Sequence, residues 1–266
     1  MSATTPNAEI RLDGKVVIVT GATQGIGEAI ARQAAAAGAA GLCLTGRSLA
    51  RGEAVAAELD AAGCAAIFVP AELADEAACR AVVAACDKRF GRVDGLVNAA
   101  GITDRGHIED TSVELWDRMF AVNVRAPFIL TQEAVRRMQA RGAGGSIVNI
   151  ITRSSHGGQP KLTAYSASKG ALAVLTKNVA HALRADRIRV NGLNIGWTDT
   201  PAEHVIQKAE GQPEDWLKRA EAAQPFGRLL KPADVAFLAC YLLSDRAQMM
   251  TGALIDYDQN VMGAYD

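Results

Sequence analysis

The stretch KVVIVTGATQGIG, Lys15 to Gly27, decides the fold of this 266-residue chain. Its first half is a run of β-branched residues, which is typical of a buried strand. Its second half is a glycine-rich turn that leads into an alanine-rich helical segment, Ile26 to Ala37. Glycines at this spacing let the backbone approach a pyrophosphate at a helix N-terminus. An ordinary strand-to-helix turn is the alternative, but the strand–turn–helix context favours dinucleotide binding.

Short apolar runs and helical segments alternate along the rest of the chain. Such alternation indicates βαβ units and a parallel sheet buried on both faces. We therefore predict an α/β fold with a doubly wound parallel β-sheet, a Rossmann fold of three α/β/α layers. The further predicted strands are 41–45, 65–70, 93–98, 145–151 and 187–195, and the further predicted helices are 49–61, 75–90, about 112–139, 165–183 and 232–243.

The same pattern predicts one domain, residues 15–266, which binds the dinucleotide and carries the catalytic residues. Residues 1–14 are predicted to be an N-terminal tail. The segment 198–226 is charged and contains proline, and it interrupts the alternation of strands and helices. We predict that it forms a small helical flap over the substrate site at the mouth of the sheet.

The composition excludes several classes of protein. Acids and bases are mixed along the chain and the net charge is −1, so we expect neither nucleic acid nor membrane as a partner. The five cysteines are scattered without a C-x-x-C pair, and the four histidines lack metal-ligand spacing, so we expect no disulfides and no metal. The N-terminus has no signal-like apolar run, and a cytoplasmic protein is expected.

The stretch AYSASKG, Ala164 to Gly170, places Tyr165 and Lys169 four residues apart. Residues with this spacing share one face of a helix, so both side chains can point at the same place. With three further motifs, this pair makes the chain similar to the short-chain dehydrogenase/reductases of the typical single-domain kind, from Lys15 to about Asp256. Those motifs are the glycine motif with Thr20, Gly21, Gly25 and Gly27, NAAG at Asn98 to Gly101, and Asn123 in VNV.

The resemblance implies an enzyme that transfers a hydride between a nicotinamide and an alcohol or carbonyl carbon. It implies Tyr165 as the general acid/base, Lys169 as its electrostatic activator and a ligand of the nicotinamide ribose, and Asn123 as the holder of a relay water. A phenol is a poor base at neutral pH unless a nearby ammonium lowers its pKa. The family's serine falls on Thr152, whose hydroxyl makes the same hydrogen bonds, with Ser154 and Ser155 as alternatives.

The end of the second strand predicts NADP as the cofactor, with NAD possible. Gly46 stands where a carboxylate would bond the ribose 2′-hydroxyl, and Arg47 and Ser48 can bind a 2′-phosphate. Gln24 is contrary evidence, because many NADP-dependent relatives carry a base there. The predicted cofactor-binding residues are Gly21, Thr23, Gln24, Gly25, Ile26, Gly27, Arg47, Ser48, Glu72, Leu73, Asn98, Ala99, Ala100, Gly101, Tyr165, Lys169, Gly196 and Thr198.

The predicted substrate residues are Ser154, His156, Gln159 and Trp197, which follow strand ends. Polar groups beside an indole favour a hydroxylated small molecule such as a sugar or polyol. A reductase of 3-oxoacyl-type ketones is one alternative, and a non-catalytic dinucleotide sensor or scaffold is another, favoured only by Thr152. The resemblance also implies a homo-oligomer, by default a homotetramer.

Overall fold

The computed structural model describes residues 10–262 of the chain, so most of the predicted tail at residues 1–14 lies outside the described residues. The described part forms a seven-stranded parallel sheet in the order β3-β2-β1-β4-β5-β6-β7. The doubly wound α/β fold is therefore confirmed. The strands are β1 Val16–Thr20, β2 Gly41–Gly46, β3 Ala66–Pro70, β4 Gly95–Asn98, β5 Gly145–Ile150, β6 Ile188–Ile195 and β7 Leu254–Tyr257.

Helices cover both faces of the sheet and bury two hydrophobic clusters. One cluster lies under α1, α2 and α9 and includes Leu12, which precedes β1. The other lies under α3, α5 and α6. The helices are α1 Gly25–Ala36, α2 Leu49–Ala61, α3 Glu76–Phe90, α4 Val113–Phe120, α5 Ala126–Arg141, α6 Thr163–Ala182, α7 Pro201–Ala209, α8 Trp216–Ala222 and α9 Pro232–Leu243.

The long helix predicted at 112–139 is interrupted by a π-helical turn, Ala121–Arg125, between α4 and α5. The Ala126 N–H donates to the Ala121 carbonyl, five residues back. Pro127 has no N–H to donate to the carbonyl four residues before it, so the regular α-helical pattern cannot continue through this point. π-turns inside helices often occur at functional sites, and this one contains Asn123, which is completely buried.

The turn after β1 is packed tightly against its surroundings. Gly21 has a φ of +67°, a conformation that favours glycine. A Cβ atom on Gly27 would lie 2.4 Å from the Gly21 carbonyl oxygen. The Thr20 hydroxyl accepts hydrogen bonds of 3.0 Å from the backbone N–H groups of Ala99 and Ala100. The carboxyl ends of β1 and β4 are thereby held together.

The opposite end of the same two strands is held by Asp94, whose side chain is only 5% exposed. Its carboxylate accepts from the Val16 N–H at 2.8 Å and from Arg92 at 2.7 Å and 2.9 Å. Arg141 Nη2 lies 2.5 Å from Oδ1 of the same carboxylate. This carboxylate is the acceptor for the first N–H of β1.

We expect Asp94→Ala to lower the free energy of unfolding by about 1–3 kcal/mol, because a buried N–H loses its acceptor. Chemical denaturation followed by circular dichroism measures this. Asp245, whose side chain is 83% exposed in its pair with Lys15, provides the control, since Asp245→Ala removes only a surface ion pair. Equal effects of the two substitutions would contradict the role given to Asp94.

Candidate active site

The predicted pair Tyr165 and Lys169 lies on the first turns of α6, beside the carboxyl end of β5. Lys169 is buried, and its Nζ donates a 2.8 Å hydrogen bond to the Ile150 carbonyl. The same Nζ lies 5.9 Å from the centre of the Tyr165 ring. Burial lowers the pKa of Lys169 to about 8, so the side chain is mainly an ammonium at neutral pH.

Thr152 lies two residues beyond the end of β5, and its side chain acts on the pKa of Tyr165. Burial raises the pKa of Tyr165 to about 12, while a hydrogen bond with the Thr152 side chain and the positive charge of Arg105 act in the opposite direction. The rival hydroxyl, Ser154, donates instead to Gln159. The Ser154 N–H also donates to the Thr152 hydroxyl at 3.2 Å, and this hydroxyl donates to Ser154 Oγ at 3.3 Å.

Asn123 joins the loop after β4 to the helix that carries Tyr165. Its amide exchanges two 3.0 Å hydrogen bonds with the backbone of Ile102. Its Nδ2 also donates to the Ser168 hydroxyl at 3.1 Å. A Cβ atom on Gly101 would lie 3.3 Å from Asn123 Oδ1 and 3.5 Å from Lys169 Nζ. Three motifs that are distant in sequence therefore meet at one place.

The glycine turn and α1 leave donors available for an anion. Gln24, the residue before α1, makes no side-chain cap to the described residues of the helix, and Gly25 has a φ of +61°. Helix N-terminal N–H groups without a cap are suited to a pyrophosphate. Asn98 Oδ1, at the end of β4, is buried and has no hydrogen-bond partner within residues 10–262. These residues fit a bound dinucleotide.

The first turn of α2, just beyond the end of β2, carries an additional basic residue, Arg51, which the sequence patterns did not single out. Arg47 is exposed and Ser48 is partly exposed at the start of α2. Arg51 Nη1 donates to Gln24 Oε1 at 2.9 Å, which places a second guanidinium beside the glycine turn. The position of Arg51 in the first turn of the helix that follows β2 was the available signal.

The other predicted cofactor residues line the same edge of the sheet. Thr23 packs against β2, since a Cβ atom on Gly46 would lie 2.7 Å from its methyl group. Glu72 is exposed and Leu73 is buried just after β3. The Thr198 hydroxyl donates to the Gly196 carbonyl at 3.0 Å beyond β6. The remaining members are backbone neighbours in the two turns already described: Ile26, Gly27, Ala99 and Ala100.

The predicted substrate residues do not all converge. Trp197 stacks on the buried Trp216 with ring centres 6.0 Å apart, and the Trp197 side chain is itself exposed to solvent. His156 Nε2 lies 3.2 Å from Asp256 Oδ1 and 3.3 Å from Asn194 Nδ2. His156 thus forms hydrogen bonds with residues of β6 and β7. Ser154 instead donates a hydrogen bond to Gln159, beside Thr152.

Two charged residues near Tyr165 were missed by the sequence patterns. The charge of Arg105 lowers the pKa of Tyr165 and that of Glu203 raises it, although burial has the largest effect. Arg105 follows β4, and Glu203 is in the first turn of α7. Both positions lie beyond strand ends, where ligands bind in doubly wound sheets, and that position was the signal.

The structure also bears on metal and membrane binding. Within residues 10–262, no group of three or more His, Cys, Asp and Glu side chains is placed to hold a metal ion. The five cysteines all fall in this range, and each is buried and free. None of the helices described above is long and apolar enough to cross a membrane.

Comparisons with known proteins agree with this geometry. The family profile described as "Enoyl-(Acyl carrier protein) reductase" matches residues 21–259. The chain is 36% identical to the NADP-dependent (R)-specific alcohol dehydrogenase of Lentilactobacillus kefiri, over 91% of this chain and 94% of that protein. It is 34% identical to the cis-4-hydroxycyclohexanecarboxylate dehydrogenase of Sinomonas cyclohexanicum, over 92% of this chain and 95% of that protein.

Solved structures show the same likeness. A short-chain type dehydrogenase/reductase from Mycobacterium marinum superposes with a TM-score of 0.86 at 28% identity, covering 96% of this chain and 98% of that one. With the buried Lys169, the Tyr165–Thr152 contact and the glycine turn at the end of β1, these matches agree on one assignment. The chain belongs to the short-chain dehydrogenase/reductase family of oxidoreductases.

Proposed function

We propose that the chain is an NADP-dependent oxidoreductase, able to use NAD, that interconverts an alcohol and a carbonyl in a hydroxylated small molecule such as a sugar or polyol. The observation that carries the proposal is the placement of the buried Lys169 with its Nζ 5.9 Å from the centre of the Tyr165 ring, together with the effect of the Thr152 side chain on the pKa of Tyr165. The name of the Lentilactobacillus relative supports the choice of NADP.

A bound nicotinamide supplies the hydride acceptor or donor, and residues of the chain handle the matching proton. During reduction the Tyr165 hydroxyl donates its proton to the substrate oxygen, and during oxidation the phenolate takes it back. A hydrogen bond with the Thr152 side chain lowers the pKa of the same phenol, although burial has the larger, opposite effect. Because the pKa of Tyr165 is about 12, the hydroxyl carries its proton at neutral pH and is ready to act as the acid.

The site favours this function over two others, a reductase of acyl ketones and a non-catalytic sensor. A 3-oxoacyl-type ketone reductase would share only the acyl chain with the enoyl reductase that the matching family profile names, and the charges of Arg105 and Glu203 near Tyr165 disfavour an apolar acyl chain. A non-catalytic sensor would need only the dinucleotide groove. A sensor function does not explain the hydrogen bond between Thr152 and Tyr165, because both residues lie outside the glycine turn of the groove.

We expect Tyr165→Phe to lower kcat by about a hundredfold or more while cofactor still binds, because only the transferable proton is lost. Lys169→Ala is expected to lower both kcat and cofactor affinity. Cofactor absorbance measures turnover, and a fluorescence titration measures binding. Near-normal turnover by Tyr165→Phe would exclude this tyrosine as the acid/base.

The Thr152 hydroxyl gives a second expectation. Thr152→Ser should keep or raise kcat, while Thr152→Val, which has similar volume without the hydroxyl, should abolish it. Ser154→Ala is the comparison, because it removes a neighbouring hydroxyl that donates to Gln159 and accepts from Thr152, and it should lower kcat less than Thr152→Val does. A harmless Thr152→Val together with an inactive Ser154→Ala would reverse the assignment.

Cofactor preference depends on Arg47. We expect Arg47→Ala to raise KM for NADP by about tenfold to a hundredfold, the loss expected for one charge-assisted contact to a phosphate, and to change KM for NAD little. Arg51→Ala is expected to act in the same direction. The exposed Arg246 serves as the control through Arg246→Ala, and equal effects of Arg47→Ala on both nucleotides would refute the 2′-phosphate contact.

We also propose a homo-oligomer, a tetramer by the family resemblance. An apolar groove runs between α4, α5 and α6 and is lined by exposed Phe128 and Val174. A second copy that places its own groove there would bury this surface. Val174→Glu is expected to shift the mass measured by light scattering to a smaller species, whereas Leu49→Glu, on exposed α2, should not.

A further inference from the structure

Four charged side chains lie between the flap and the loops around Tyr165, and we call Arg105, Lys161, Glu203 and Glu210 the charged cluster. Arg105 Nη2 is 3.5 Å from Glu203 Oε1, and Arg105 Nε is 3.3 Å from Glu210 Oε1. Lys161 Nζ donates to both oxygens of Glu210, at 3.1 Å and 3.2 Å. With two cations and two anions, the cluster is formally neutral.

Backbone hydrogen bonds hold the cluster beside Tyr165. Gly106, next to Arg105, forms a parallel bridge with Leu162. The Gly106 N–H donates to the Lys161 carbonyl at 2.9 Å, and the Thr163 N–H donates to the Gly106 carbonyl at 3.2 Å. Thr163 begins α6, two residues before Tyr165. The Arg105 side chain therefore starts at the loop that adjoins the reacting phenol.

Glu203 reaches the same place from the flap. Its Oε1 accepts from Trp197 Nε1 at 2.9 Å and from Gln207 Nε2 at 2.7 Å, and Arg105 approaches this same oxygen. The side chain is only 13% exposed. Its second oxygen, Oε2, accepts no hydrogen bond from any residue in the range 10–262. A held carboxylate with one unused oxygen can accept a hydrogen bond from a ligand.

Arg105 also has unused hydrogen-bonding capacity. Its distances to the two glutamates exceed the 2.7–2.9 Å of strong charge-assisted bonds. Its Nε is buried and forms no hydrogen bond within the described part of the chain. The Arg105 side chain is 25% exposed. Arg105 is close enough to Glu203 for both side chains to bind one ligand. Its contact with Glu203 leaves hydrogen-bond donors of the guanidinium unused.

We propose that Glu203 and Arg105 form a subsite that binds a second hydroxyl group of the substrate, and that the enzyme therefore prefers uncharged, polyhydroxylated alcohols. The substrate hydroxyl donates to Glu203 Oε2 and accepts from Arg105, while the partly open face of Trp197 packs on the carbon skeleton. This inference rests on the proposed function, since it concerns the same reacting site.

An uncharged substrate fits the charge balance better than an anion. A substrate carboxylate would face the negative charge of Glu203 and would have to compete with two glutamates for Arg105. A hydroxyl uses both partners without changing the charge of the cluster. A site built to bond a hydroxyl discriminates strongly against an analogue that lacks it, so the selectivity is measurable on simple compounds.

The test compares kcat/KM for three compounds oxidised with NADP: cyclohexanol, cyclohexane-1,2-diol as separate isomers, and 2-hydroxycyclohexanecarboxylate. We expect the better diol isomer to exceed cyclohexanol by about tenfold to a hundredfold, the effect of one hydrogen bond to a charged group. The hydroxy acid is expected to be poorer than the diol. This ratio is measured on the unaltered chain and does not depend on any variant folding.

Glu203→Gln should then lower the ratio of diol to cyclohexanol by about tenfold. Any effect on Tyr165 itself acts on both compounds and cancels in the ratio. Glu214→Gln is the matched control, because it makes the same change at an exposed flap residue and should leave the ratio unaltered. Thermal melting checks that both variants are folded.

The outcomes separate the two proposals. Turnover of cyclohexanol and diol with equal efficiency would overturn the second-hydroxyl subsite and leave the proposed function standing. A hydroxy acid that is the best substrate, and that is lost in Arg105→Ala, would overturn the uncharged class in favour of an anion site. Absence of turnover for all three compounds with either cofactor would overturn the proposed function, and the subsite with it.

Discussion

The close packing of the β1 turn is the constraint on which the rest of the site depends. A Cβ atom on Gly21 would lie 2.9 Å from Ala100 Cα, and one on Gly27 would lie 2.4 Å from the Gly21 carbonyl oxygen. With the Thr20 hydroxyl bonded to two N–H groups after β4, the two turns are locked at one edge of the sheet. α1 is thereby brought close enough to present its N-terminus to a ligand.

A second constraint is the burial of charge at the end of β5. Lys169 loses solvation in that position, which lowers its pKa to about 8, while the same loss raises the pKa of Tyr165 to about 12. Each pKa unit corresponds to about 1.4 kcal/mol between protonation states. The hydrogen bond to the Ile150 carbonyl fixes the ammonium, so its charge stays near the phenol despite the cost of desolvation.

The segment that carries α7 and α8 borders the candidate site from the other side. The charged cluster joins α7 to the loops at Arg105 and Lys161, and Trp197 connects the end of β6 to Glu203 through its indole N–H. The proposed substrate contacts thus come from segments that follow three different strands. Ligands of doubly wound sheets bind at this edge because the loops beyond the strands vary without disturbing the sheet.

The sequence alone determined whatever depends on local pattern. The alternation of strands and helices, the glycine turn and the four-residue spacing of Tyr165 and Lys169 each follow from neighbouring residues. The tertiary structure decided that Thr152 acts on the pKa of Tyr165 and that Arg105 lies beside Glu203. These contacts join residues 13 to about 100 positions apart, and no local periodicity specifies them, because packing of the helices on the sheet brings the loops together.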